Sequence, residues 1–232
     1  MKPQLFLIHF AGGNIYSFQF MKPYLSAFEL VPLELPGRGK RVDEELINDF
    51  DEATLDIYNQ LTGNLYTNRF FIYGHSLGAL LTLRVTAMLE QNGRFPESII
   101  VTGNPGPGER ENKQLYLMEK DDFKKELLLM GGIPEVVLDN EELFDFYEPI
   151  LRADLEIIEK RGDLSFAPVK ARISAIMGSE EEKSSRIENW KNFGLSDVRT
   201  ILLPGNHFFI HNYAAQLCNI IGQACYSPPI FH

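Results

Sequence analysis

The sequence predicts an α/β fold: a mostly parallel sheet flanked by helices. Three observations predict it. Short apolar runs recur at 5–10, 29–35, 69–73, 98–102, 171–177 and 198–203, most of them bounded by glycine or proline. Helical patterns such as 51–65, 79–91 and 182–193 lie between them. The runs are continuous rather than alternating, as strands covered on both faces require. A chain of 232 residues fits one such domain, or a core with an insertion.

The first run, within M-K-P-Q-L-F-L-I-H-F, reads as a strand and not as a signal peptide. Its apolar stretch is short, His9 interrupts it, and Gly12-Gly13 follow without an A-x-A site. The alternation breaks at 112–162, which holds no strand candidate but two helical ones. Asp121 is placed to cap the first, which carries Phe123, Leu127 and Leu128 and stops at Gly131-Gly132. Asp139 and Glu142 have capping-box spacing for the second, which puts Leu143, Tyr147, Ile150, Leu151, Leu155 and Ile158 on one face and should kink at Pro149. The expected organisation is a single domain, 1–232, with 112–162 as a helical insertion that is either a buttress or a lid.

Composition narrows the function. A net charge of −10 gives no electrostatic footprint for nucleic acid. No run reaches the 18 apolar residues of a membrane helix. Cys218 and Cys225 form no C-x-x-C and read as small core residues, which fits a reducing, cytoplasmic setting.

One stretch carries chemistry. Gly74-His75-Ser76-Leu77-Gly78 follows the strand R-F-F-I-Y and precedes the helical pattern A-L-L-T-L-R-V, the strand–turn–helix setting of a nucleophile elbow. Ser76 is then the candidate nucleophile, and a glycine-rich turn with a capping serine is the plain alternative. A serine hydroxyl needs a base. Of His9, His75, His207, His211 and His232, His207 lies just past the last strand, where sites assemble in open sheets. His211 is the alternative, in a run that reads as the following helix. The acid that orients the base should follow the strand I-S-A-I-M. That loop offers only Glu180, Glu181 and Glu182; Glu181 falls three residues past Gly178, with Glu180 as the alternative, and a solvated helix start is the bland reading. The amides of Leu77 and Ala11 are the candidate oxyanion donors.

Together, H-F-A-G-G at 9–13, E-L-P-G-R-G-K-R at 34–41, G-H-S-L-G-A at 74–79, G-G-I-P-E-V-V at 131–137, L-R-A-D at 151–154, W-K-N-F at 190–193 and P-G-N-H-F-F-I at 204–210 resemble the type II thioesterases of nonribosomal peptide and polyketide synthesis, over nearly the whole chain. The resemblance implies an α/β-hydrolase fold with a helical lid and hydrolysis of acyl thioesters on the phosphopantetheine arm of acyl or peptidyl carrier proteins. It implies no metal or diffusible cofactor, no membrane partner, and a monomer. It places Ser76 as nucleophile and His207 as base. Three departures stand out. The acid loop reads G-S-E-E-E where the family usually has aspartate. The chain opens almost on the strand before H-F-A-G-G, without an earlier edge strand. His9 stands where the family usually has proline. Arg38, Lys40 and Arg41 could meet the arm's phosphate or an acidic carrier, though a solvated basic loop is favoured. The competing readings are a carboxylesterase on small free esters and a carrier-binding protein with a degraded triad.

Overall fold

The computed structural model describes residues 1–109, 113–133, 135–160 and 165–226; His232 and the ends of the 112–162 insertion lie outside them. The order is β1 (Gln4–Ile8), β2 (Glu29–Leu33), α1 (Phe50–Asn64), β3 (Phe70–His75), α2 (Leu77–Gln91) and β4 (Ser98–Thr102). There follow α3 (Lys120–Met130), α4 (Glu135–Asp139), α5 (Glu141–Lys160), β5 (Arg172–Gly178), β6 (Val198–Leu203), α6 (Phe209–Asn212) and α7 (Ala214–Tyr226). The six strands form one sheet in the order β2-β1-β3-β4-β5-β6, and every pairing is parallel. The chain therefore leaves β1 toward one edge and returns on its other side at β3. That reversal opens a crevice at the carboxyl ends of β1 and β3.

Period-2 geometry sorts the strand residues to two faces. Phe6, Ile8, Ile72, Ile99 and Val101 pack with residues of α1 and α2 such as Ile57, Leu61, Leu80 and Leu83. Leu5, Leu7, Phe71, Tyr73 and Ile100 pack with Leu217, Cys218 and Ile221 of α7 and with Phe18 and Met21. Both cysteines are buried and free, and burial pushes their thiols up to about 12, so they act as apolar packing. The edge strand β2 tolerates Pro32, whose missing amide would break a ladder inside the sheet.

Between β4 and β5 the chain makes a third apolar cluster of its own, centred on Phe123, Leu127, Phe144, Leu151 and Leu155. Its helix ends differ from expectation. Glu119, not Asp121, sits at the cap of α3. Asn140 rather than Asp139 caps α5, its Oδ1 accepting the Leu143 amide at 3.1 Å, and Asp139 instead ends α4, a helix not foreseen from the sequence. α5 runs through Pro149. The 182–193 pattern becomes a 3-10 helix over Ser184–Phe193. Its core-facing residues Ile187, Trp190 and Phe193 are three apart, the spacing that a 3-10 helix superimposes.

Backbone meets backbone closely beneath the elbow. A methyl group on Gly78 would stand 2.2 Å from the Ile8 carbonyl oxygen, and one on Gly74 would stand 2.1 Å from the Gly78 carbonyl oxygen. Gly78→Ala is therefore expected to lose at least about 3 kcal/mol, the upper end of overpacking costs, in urea denaturation. Gly63→Ala, where a methyl would meet nothing, should hold or gain slightly in the same assay.

Candidate active site

Ser76 has φ 55° and ψ −112°, a backbone conformation that a non-glycine residue adopts only when its surroundings hold it. Those surroundings are visible. The Ser76 amide donates to the Thr102 carbonyl at 2.8 Å, and the Ser76 carbonyl accepts from the Ala79 amide at 3.0 Å and from Asn104 Nδ2 at 3.3 Å. Asn104 is itself fixed, because the buried Trp190 of W-K-N-F donates from Nε1 to its carbonyl at 2.7 Å. Strain at Ser76 is thus held by the loop after β4, which is held in turn by the 3-10 segment.

His207 and Glu181 reach the same place from β6 and β5. The glutamate loop lies against the histidine loop at Gly178, where a methyl would stand 2.4 Å from the carbonyl oxygens of Gly205 and Asn206. The Ser179 amide donates to the Leu203 carbonyl at 2.7 Å and the Glu180 amide to the Gly205 carbonyl at 3.0 Å. Glu181 then folds back. Its Oε1 accepts the Gly178 amide at 2.7 Å and its Oε2 meets His207 Nδ1 at 2.7 Å. Only 8% of the Glu181 side chain is exposed, against an exposed Glu180. The structure therefore brings Glu181, not Glu180, to the histidine. With Nδ1 committed to the carboxylate, Nε2 is the nitrogen left for other partners.

Ser76 and His207 line one apolar cavity of about 250 Å³ together with Ala11, and Met130, Tyr147 and Leu151 close it from the helical side. The amides of Ala11 and Leu77 donate to no other group among the described residues. Leu77 opens α2, whose N-terminus favours negative charge. His211 lies elsewhere, in α6, with its ring stacked on Phe208 and against Phe20. Among the described residues no group of three or more His, Cys, Asp or Glu is placed to hold a metal ion, and no helix is long and apolar enough to cross a membrane.

The family model described as "Thioesterase domain" matches residues 3–225. The chain belongs to the thioesterase domain family. It is 29% identical over 231 residues to linear gramicidin dehydrogenase LgrE of Brevibacillus parabrevis, covering 94% of this chain and 85% of that one. It is also 29% identical over 209 residues to the human medium-chain S-acyl fatty acid synthase thioesterase, covering 86% and 77%. Among solved structures, YbtT, a type II thioesterase from the yersiniabactin NRPS/PKS biosynthetic pathway, superposes with a TM-score of 0.87 at 24% identity over 97% of this chain and 95% of that one. The α/β-hydrolase expectation is borne out, and the chain is a thioester hydrolase.

Two features of this thioesterase were not anticipated. The expected solvated basic loop is wrong for two of its three members. Arg38 is buried and paired with Asp154 of α5. Arg41 is held by Glu44 and by Asp56, at 2.6 and 2.7 Å, and only Lys40 is exposed. Both partners lie in segments that carry the family resemblance, E-L-P-G-R-G-K-R and L-R-A-D, but nothing in one dimension joins them. The second feature is the set of buried polar residues around 9–17. Glu34 is 2% exposed and accepts the amides of Ile15 at 2.9 Å and Lys40 at 2.8 Å.

His9, in the place of a usual proline, bridges two loops. The Leu35 amide donates to its Nε2 at 3.1 Å, so its proton is on Nδ1, which donates to the Phe10 carbonyl at 2.8 Å. Burial first, then the nearby Arg38 charge, lower its pKa from 6.5 to about 4, and the ring is neutral. His75 is also neutral: burial, then the adjacent His207 ring at 4.9 Å, hold it well below the usual range. The unfolded chain takes up a proton near pH 6.5 that the folded His9 refuses until about pH 4. Stability is therefore full above about pH 6.5 and falls as pH falls through that window. His9 alone should remove about 2 kcal/mol between pH 7 and pH 5. Urea midpoints across that range should show the loss, and His9→Gln should reduce the slope.

Proposed function

We propose that Ser76, His207 and Glu181 act as nucleophile, general base and orienting acid, and that the chain clears acyl groups from the phosphopantetheine arm of acyl or peptidyl carrier proteins of a synthetase. The observation that carries the reading is the 2.7 Å contact of His207 Nδ1 with a nearly buried Glu181, at a cavity that Ser76 and His207 share. The carboxylate fixes the tautomer and leaves Nε2 to act as the base for the serine. Ser76 Oγ attacks the thioester carbonyl while His207 takes its proton. The tetrahedral oxyanion lies between the amides of Ala11 and Leu77. The C–S bond breaks and the thiolate takes the proton from His207. Water, deprotonated by the same imidazole, attacks the acyl-serine and releases the acid. No step calls on a cofactor.

The carrier assignment rests on the family and on the relatives' names: an NRPS/PKS type II thioesterase, a fatty acid synthase thioesterase and a linear gramicidin dehydrogenase. The last is named a dehydrogenase; the contact of Glu181 with His207 beside the cavity that Ser76 lines supports acyl transfer instead. In this reading α3–α5 are a lid over the acyl group, and the protein works as a monomer.

The test is release of acyl groups from loaded carrier proteins, beside acyl-CoA and p-nitrophenyl esters. Ser76→Ala should abolish turnover. Glu181→Gln should lower kcat by about 10²–10⁴-fold, and Glu180→Gln by less than about twofold. Turnover confined to free esters would instead favour a carboxylesterase.

A further inference from the structure

Asp154 is wholly buried in the helical insertion, 116 residues from its partner Arg38, which is 2% exposed. Their fork is two-pronged: Arg38 Nη1 to Asp154 Oδ2 at 2.5 Å and Nη2 to Oδ1 at 2.8 Å. Replacing such a pair with apolar residues is often neutral or stabilising, so stability alone does not explain it. Its further contacts are informative. Asp154 Oδ2 also accepts the Gly12 amide at 2.7 Å, and Arg38 Nη1 reaches the Gly13 carbonyl at 3.5 Å. The peptide before Gly12 is thus tied to α5. The Phe10 carbonyl, on the far side of the Ala11 amide, is tied by the Gly13 amide at 2.8 Å and by His9. Two successive peptide planes are fixed, and the Ala11 N–H belongs to one of them. Leu151, one turn before Asp154, presses on the same loop: a methyl on Gly12 would stand 2.5 Å from its Cδ2.

We infer that Arg38 and Asp154 are positioning residues for the oxyanion hole, so that a helix over the cleft and a buried arginine aim the Ala11 amide at the reacting carbonyl. This rests on the serine-hydrolase reading above. It goes beyond that reading by assigning the L-P-G-R-G and L-R-A-D segments a part in the chemical step rather than in carrier or phosphate contact.

The deciding protein is the double variant Arg38→Met/Asp154→Leu, which removes both charges and the Gly12 acceptor while keeping volume. Its Tm should stay within a few degrees of wild type. Its kcat on the best acyl-CoA or p-nitrophenyl ester should fall by about 10–100-fold, short of the full loss of an oxyanion donor, with KM within about threefold. Asp154→Asn keeps the Gly12 acceptor but strands the guanidinium. It should lose Tm by about 5–10 °C yet retain more kcat than the double variant. A folded double variant with wild-type kcat overturns the inference. If the double variant does not fold, Arg38→Lys decides, because it keeps the charge and loses the fork: about tenfold lower kcat at unchanged KM supports positioning, and wild-type kcat overturns it. Wild type and Ser76→Ala run alongside. Absence of Ser76-dependent turnover sinks the serine reading itself, whereas an active wild type beside an equally active double variant sinks only the positioning role.

Discussion

Between the Ile8 carbonyl and the first turn of α2 there is no room for a side-chain carbon, and the geometry of the site descends from that close approach. It sets the end of β1 directly against the start of α2, with Ser76 at the top of β3 in a conformation its own residue type disfavours. The loop leaving β1 and the helix leaving Ser76 then face each other across a few ångströms. Any fold that relaxed the elbow would separate the two candidate oxyanion donors, because one amide comes from each side of that contact.

The other loops are fastened to this frame by polar atoms that apolar packing alone would not fix. The loop after β4 holds the serine backbone through Thr102 and Asn104, and Trp190 holds Asn104. The loops after β5 and β6 are joined backbone to backbone before Glu181 meets His207. A parallel sheet delivers all of these loops to one end, so Ser76 and His207, far apart in sequence, line one cleft with Glu181 seated against the histidine. The helical insertion covers it with Met130, Tyr147 and Leu151 while keeping a core of its own.

The loop at 9–17 is tethered by several buried polar side chains. His9, Glu34, Arg38 and Asp154 each commit a buried polar atom to its backbone or to its immediate neighbours. Buried polar groups are costly when unpaired and rigid when fully paired. Here they immobilise a glycine-containing loop that would otherwise sample many conformations, and they make its geometry depend on a helix more than a hundred residues away.

Continuous apolar runs, glycine spacing and chain order are local or ordinal properties, so the parallel α/β core was legible in the sequence, as was the strand–turn–helix setting of Ser76, and chain order made His207 the candidate base. Spacing past Gly178 put Glu181 ahead of Glu180 as the candidate carboxylate without separating them: which of two adjacent side chains turns inward depends on how the β5 and β6 loops pack at Gly178. The cap of α5 falls on Asn140 because adjacent Asp139 and Asn140 are both competent caps, whereas α3 begins before Asp121, with the cap position at Glu119, whose side chain makes no capping hydrogen bond. The 3-10 segment looks α-helical in sequence because a spacing of three within ten residues resembles 3.6. The pairing of Arg38 with Asp154 was decided by the tertiary structure alone. A charge reads as solvated until its partner is brought to it, and only the folded sheet brings α5 over the loop that follows β1.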